Sequence, residues 1–294
     1  MTELIVPSTV GVLGGGRMGA GIAHAFCLAG ASVSVVERDE TSSQQARDRV
    51  AASLASSIKR GTTEETLEQL SSRLSVSTDY AVFAECNLVV EAVPESLDLK
   101  LAALSRVEAV LSPDSWLASN TSSISITSLA ATLARPDRFC GLHFFNPVPA
   151  SKLVEIVVGA QSVPELIDVA RGWVTALGKT PIVVRDVPGF ASSRLGLALS
   201  LEAMRMLEDG VASAEDIDSA MVLGYGHPVG PLKLTDIVGL DVRLGIAEYL
   251  NEKIGERFSP PELLRAMVAR GELGRKTGQG FYQWKDPIRN NGEN

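Results

Sequence analysis

Short apolar runs alternate with longer stretches of helical periodicity as far as Asp186, and beyond it the helical period continues alone. Thr9–Leu13, Val33–Val36, Ser75–Ser77, Leu88–Glu91, Trp116–Ser119, Phe139–His143, Leu153–Gly159 and Thr180–Val184 read as strands. Helices are predicted at Ala20–Leu28, Asp39–Arg60, Thr63–Leu74, Leu97–Leu111, Ile126–Leu133 and Val163–Leu177. The second and third of these form a helical hairpin turning at Gly61, with Thr62 or Thr63 as an N-cap. Such an insert is longer than a plain crossover requires, which marks it for function. Strands alternating with helices predict an α/β fold with a parallel, doubly wound sheet, whose ligands sit at the carboxyl ends of the strands.

Asp186-Val187-Pro188-Gly189 breaks the alternation, and helices are predicted at Phe190–Glu208, Ser213–Leu223, Leu232–Val238, Asp241–Ile254 and Pro261–Arg270. Two domains follow: residues 1–186 as the doubly wound domain, and residues 187–294 as an all-α domain for dimerisation and substrate. The Phe190–Glu208 segment carries Phe190, Leu195, Leu197, Leu199, Leu201, Met204, Met206 and Leu207 on more than one face. A helix apolar on several sides must be covered on several sides, and a second copy of the chain is the simplest cover. A homodimer is therefore expected.

The stretch LHFFNPVPASKLVE, Leu142–Glu155, holds an anomaly. Glu155 stands inside the apolar run Leu153, Val154, Ile156, Val157 and Val158, where a carboxylate without a partner is costly to bury. His143, at the end of the preceding apolar run, is the nearest candidate partner across a short Pro-rich connection. An imidazole oriented by a buried carboxylate is a general base for work near neutral pH. A His ending a strand and a Glu paired with some Lys would use the same two residues for structure alone.

Gly14-Gly15-Gly16-Arg17-Met18-Gly19 lies between the first strand and the first helix. Gly14 suits the tight turn, Gly16 the approach of a pyrophosphate and Gly19 the packing of helix on strand, so this is a Rossmann-type dinucleotide turn. Glu37 follows the last glycine by 18 residues, at the end of the second strand. A carboxylate there accepts ribose hydroxyls and repels a ribose phosphate, which favours NAD; Arg38 beside it is the feature that would help NADP.

Polar residues recur where other strands end: Glu91, Glu95 and Lys100, then Ser119-Asn120-Thr121-Ser122-Ser123, then His143 and Asn146. One such cluster would pass for a helix cap, but its repetition along one sheet edge predicts a cleft for cofactor and substrate. Ser53, Lys59 and Arg60 on the hairpin read as a solvated face. Gly274–Tyr282 is a basic, glycine-rich loop, either a plain turn or a cover for an anionic cofactor. His24 and His227 read as a packed helix residue and a loop residue.

Composition narrows the classes further. The chain has 294 residues, 45% hydrophobic and 21% charged, with a net charge of −8, so it lacks the Lys and Arg excess that neutralises nucleic-acid phosphates. Its three cysteines stand apart in apolar surroundings, as expected of reduced core thiols in a cytoplasmic protein and not of metal ligands. MTELIVPST has no basic-then-apolar secretion pattern, and no run approaches the roughly 20 apolar residues that cross a bilayer.

Taken in order, VGVLGGGRMGAGIA, LASNTSSISIT, GLHFFNPVPASKLVEIV, DVPGF, GPLKLTDIVGLD and GRKTGQGFY resemble the L-3-hydroxyacyl-CoA dehydrogenase family, closest to its short-chain 3-hydroxybutyryl-CoA members, over about residues 8–284. The resemblance implies hydride exchange between NAD and the 3-hydroxyl of an acyl-CoA. It implies His143 as the base, Glu155 as its orienting carboxylate and Ser122 as the hydrogen-bond donor to the substrate oxygen. Gly14, Gly16, Arg17, Met18, Gly19, Glu37, Glu95, Lys100, Ser122, Asn146 and Lys276 fall at positions that look like NAD contacts. Ser53 and Arg60, with Ser122, fall at positions that meet the acyl-CoA, which replaces the solvated-face reading; an Arg stands where the family usually has Lys. Many members carry Asn where this chain has Ser193, whose shorter side chain still offers a hydrogen bond to the thioester carbonyl. Three other classes share features of this pattern: a dehydrogenase of free hydroxy or sugar acids of the L-gulonate type, the 6-phosphogluconate and 3-hydroxyisobutyrate dehydrogenases, whose Lys base the His143 and Glu155 pair argues against, and a dinucleotide-binding structural or regulatory protein without turnover. Within the family, 3-hydroxyadipyl-CoA is the alternative substrate.

Overall fold

The computed structural model describes residues 6–285. It divides into two compact units, the first ending at Val187 and the second beginning at Pro188. Eight strands of the first unit, β1 (Thr9–Leu13), β2 (Ser32–Val36), β3 (Leu74–Ser77), β4 (Leu88–Glu91), β5 (Trp116–Ser119), β6 (Phe139–Phe144), β7 (Leu153–Val158) and β8 (Thr180–Arg185), form one sheet in the order β3-β2-β1-β4-β5-β6-β7-β8. The order reverses at β1, and the switch between β1 and β4 puts a crevice at their carboxyl ends. Helices α1 (Arg17–Leu28), α2 (Glu40–Lys59), α3 (Leu67–Ser71), α4 (Leu97–Glu108), α5 (Ile126–Ala130) and α6 (Pro164–Ala176) complete the unit. Val10, Val12, Val33, Val35 and Val90 are buried in the sheet, and Phe26 packs with them from α1.

Two local expectations are corrected. The sheet is not parallel throughout, because β7 runs antiparallel to β6. Residues 145–152, which join them, are too few to carry a helix back across the sheet, so the chain can only return beside itself. The second arm of the helical hairpin is shorter than Thr63–Leu74. Its N-cap is Thr66, reciprocally bonded with Gln69 in a capping box, and the helix is over by Ser71. Leu74 already belongs to β3, in register with Val33, because the alternation Leu74, Ser75, Val76, Ser77 suits a strand edge.

The second unit consists of α7 (Ser192–Glu208), α8 (Ala214–Tyr225), α9 (Pro231–Val238), α10 (Leu240–Ile254) and α11 (Glu262–Ala269) around Leu197, Leu201, Met204, Leu232, Leu250 and Phe258. Asp218 of α8 accepts from the backbone N–H groups of Leu232 and Lys233, so it caps α9 in place of a local residue. Asp236, buried in α9, accepts from the backbone N–H groups of Phe281 and Tyr282 and from the Trp284 indole. A Cβ at Gly274 or Gly280 would strike Asp236, so the basic glycine-rich loop is a turn tied down on α9. Along α7 one face is buried through Leu197, Leu201 and Met204, while Leu195 is 71% exposed.

Candidate active site

In the antiparallel pair, His143 of β6 lies directly opposite Glu155 of β7. Opposed residues of an antiparallel pair share a face of the sheet with neighbouring Cβ atoms, so the register alone makes the two side chains meet. His143 Nδ1 lies 2.7 Å from Glu155 Oε2, with His143 6% exposed and Glu155 fully buried. Because a carboxylate only accepts, Nδ1 carries the proton and Nε2 is the basic nitrogen of the neutral ring. The Phe145 ring stands 4.5 Å from the imidazole, centroid to centroid.

At the ends of β4 and β5 a second network is buried. Glu91, fully enclosed, accepts from Val93 N at 2.7 Å, from Lys100 Nζ at 2.7 Å and from Ser119 Oγ at 2.5 Å. Lys100, 1% exposed, also gives a proton to the Val93 carbonyl and lies 3.3 Å from Glu95. Glu95 Oε1 gathers Thr121 Oγ1 at 2.6 Å, the N–H groups of Ser122 and Ser123, and both of their hydroxyls, Ser122 Oγ at 3.3 Å. Burial alone would raise the Glu95 carboxyl pKa, but Lys100 and these donors hold it below the usual range, so Glu95 is an anion that shapes the Ser122 loop. Asn120 joins this network to the base, since its backbone N–H reaches the Glu91 carbonyl and its side-chain oxygen accepts from Phe144 N.

The glycine turn rises between β1 and α1. Gly14 has φ +91°, and a Cβ there would sit 3.0 Å from the Ala92 carbonyl oxygen. At Gly19 a Cβ would fall 1.7 Å from the Gly14 carbonyl oxygen, whereas at Gly16 it would meet nothing within 4 Å. Gly16 is the N-cap of α1, with no side-chain cap and no acidic residue in the first turn, which Arg17 and Met18 open. This leaves a helix start suited to an anion, with room at Gly16 for a phosphate. Glu37 accepts from Gly15 N at 2.7 Å, beside the turn, while Arg38 turns to Asp39 at 3.1 Å and is 81% exposed.

The remaining expected residues divide between the units. Asn146, ahead of a cis Pro147, is exposed. Ser53 is half-buried on α2, and Arg60 caps the carboxyl end of that helix, donating to Ser56 Oγ at 3.0 Å and Ser57 Oγ at 3.1 Å. Ser193 lies half-buried in the first turn of α7. Lys276 belongs to the second unit, its ammonium 2.5 Å from both Asp241 oxygens.

Residues 9–187 match the family model described as 3-hydroxyacyl-CoA dehydrogenase, NAD binding domain, and residues 189–284 match that family's C-terminal domain. The chain belongs to the 3-hydroxyacyl-CoA dehydrogenase family. It is 40% identical to the 3-hydroxybutyryl-CoA dehydrogenase of Bradyrhizobium diazoefficiens over 278 residues, covering 94% of this chain and 95% of that one. It is also 40% identical to the mitochondrial hydroxyacyl-coenzyme A dehydrogenase of Homo sapiens, over 96% of this chain and 92% of that one. The crystal structure of (S)-3-hydroxybutyryl-CoA dehydrogenase from Ralstonia eutropha superposes with a TM-score of 0.91 at 41% identity, over 95% of this chain and all of that one. The first unit is thus the NAD-binding domain of a 3-hydroxyacyl-CoA dehydrogenase, and the open Gly16 cradle, the uncapped start of α1 and Glu37 fit that cofactor.

In this dehydrogenase two residues of the network, Glu91 and Asn120, read in the sequence only as members of the polar clusters at the strand ends, with no role of their own. Glu91 carried a signal of its own, a carboxylate closing the apolar strand Leu88–Glu91, the same anomaly that exposed Glu155. Asn120 carried no signal beyond its place in its cluster, since its bond to Phe144 depends on the pairing of β5 with β6.

Proposed function

We propose that the protein interconverts a short-chain 3-hydroxyacyl-CoA, 3-hydroxybutyryl-CoA in the first place, and the matching 3-oxoacyl-CoA with NAD(H). The observation that carries this reading is the buried His143–Glu155 contact at 2.7 Å. When bound, NAD supplies the acceptor for the hydride from C3 of the substrate. His143 Nε2 takes the proton of the 3-hydroxyl, and the Glu155 carboxylate stabilises the imidazolium that results. Ser122 turns its hydroxyl from Glu95 to the substrate oxygen and holds it at the imidazole. Gly14, Gly16, Arg17, Met18 and Gly19 receive the pyrophosphate, and Glu37 accepts the ribose hydroxyls and disfavours NADP. Asn146 and Lys276 complete the coenzyme contacts, with Glu95 and Lys100 setting the loop beside the nicotinamide. Ser193 meets the thioester carbonyl, and Ser53 and Arg60 hold the coenzyme A portion.

The test is turnover of acetoacetyl-CoA with NADH and with NADPH. His143→Gln is expected to lower kcat by about 10²–10⁴ with NADH binding little changed. Full kcat in that variant removes His143 from the role. The working form in this reading is a homodimer through the second unit, in a reducing, cytoplasmic compartment. Support for it comes from exposed Leu195, Val211, Leu223 and Tyr225 and from three free, buried cysteines. Among the described residues no helix is long and apolar enough to cross a membrane.

A further inference from the structure

His24 stands on α1, the helix that the glycine turn opens, five residues beyond Gly19, and is 2% exposed. Its Nε2 lies 2.8 Å from Ser57 Oγ of α2, and its Nδ1 is buried with no hydrogen-bond partner. Ser57, 1% exposed, accepts a hydrogen bond from Arg60 Nη2 at 3.1 Å. A guanidinium only donates, so the Ser57 oxygen accepts from Arg60, while the direction of the bond between Ser57 and His24 is set by the imidazole tautomer. In either direction His24 Nε2 fixes the Ser57 hydroxyl beside Arg60. Burial, then the charges of Arg60 and Lys179, lower the His24 pKa to about 4, so the ring is neutral near neutral pH.

We propose that His24 is a positioning residue for the acyl-CoA, acting through Ser57 to hold the Arg60 guanidinium where it meets a phosphate of the coenzyme A portion. The inference rests on the reading of Arg60 as a coenzyme A contact. Arg60 itself is exposed, at the end of α2 where the chain turns at Gly61 with φ +68°. Ser56 and Ser57 take two of its five N–H groups and leave the rest for an anion. Remove His24 and the buried Ser57 hydroxyl loses the bond that fixes its rotamer, so the oxygen that held Arg60 swings away. A long, exposed arginine then returns to a spread of rotamers, and ordering it again is charged against ligand binding.

The experiment compares acetoacetyl-CoA with acetoacetyl-pantetheine, which lacks the nucleotide phosphates, in the NADH-dependent assay. His24→Leu is expected to raise KM for acetoacetyl-CoA about fivefold at unchanged kcat, the scale of one exposed charge contact. KM for acetoacetyl-pantetheine and for NADH should stay as in the wild type. His24→Gln keeps a donor and an acceptor for the Ser57 hydroxyl and should restore most of the affinity. Adding Arg60→Ala to His24→Leu should cost no more than Arg60→Ala alone, because both act on one contact. Should His24→Leu not fold, Ser57→Ala breaks the same relay and carries the same expectation. The inference is overturned if KM for acetoacetyl-CoA is unchanged while Arg60→Ala raises it, or if both thioesters weaken alike. If Arg60→Ala itself leaves that KM unchanged, the coenzyme A reading of Arg60 falls and the inference falls with it.

Discussion

At the scale of single residues, much of the buried charge of the first unit is paired: Glu155 has His143, and Lys100 has Glu91 and Glu95. Lys179 is held instead by the Val148 and Ser151 carbonyls. His24 is an ionisable group enclosed beside two cations, and its cost is read in acid. Its pKa is 6.5 in an unfolded chain and about 4 in the fold, so between those values the unfolded chain binds the extra proton. Stability is then complete above pH 6.5 and falls as the pH drops toward 4. Between pH 7 and pH 5 the loss due to His24 should be roughly 2 kcal/mol. Urea unfolding of the wild type and of His24→Gln at both pH values measures it. Equal losses in the two proteins would assign the acid sensitivity to other groups.

At the scale of elements, the glycine turn and the β6–β7 hairpin each do one thing. The turn separates structure from binding within six residues. Gly16→Val has open space for its side chain, so melting should change little while NADH affinity falls at least tenfold, as a branched side chain fills the phosphate's place. Gly19→Ala drives a methyl into the Gly14 carbonyl, and the protein itself should destabilise. Thermal melting together with NADH fluorescence titration separates the two outcomes. The hairpin sets the base by register, and a slip of one residue would put Glu155 on the other face of the sheet from His143. The turn was legible in the sequence because its glycines, flanking strand and helix are neighbours. The hairpin was half legible: the buried Glu155 demanded a partner, but the antiparallel return was missed because only the shortness of residues 145–152 encodes it. The second arm of the helical insert was misjudged for a related reason, since the pairing of Leu74 with Val33 outweighs the helical tendency of the residues before it.

At the scale of the whole molecule, the two units carry different duties. The first holds the network at the strand ends, while the second leaves Leu195, Leu223 and Tyr225 exposed at 71%, 84% and 78%. In the proposed homodimer these side chains would belong to the covered surface. Sedimentation equilibrium should give twice the 31.1 kDa chain mass, and Leu223→Asp should shift the population toward monomer. A wild type sedimenting at the chain mass would reject the dimer.

The sequence by itself determined the alternation of strands and helices, the glycine turn, the break near Pro188 and the need of Glu155 for a counterpart. These are properties of neighbouring residues, set by hydrophobic period and by the cost of burying charge. Only the tertiary structure decided that His143 faces Glu155, that Lys100 is shared by two carboxylates, and that His24 reaches Arg60 through Ser57. The contact of His143 with Glu155 exists because strands pair in one register, and that of His24 with Ser57, 33 residues away, because α1 packs on α2 at one depth.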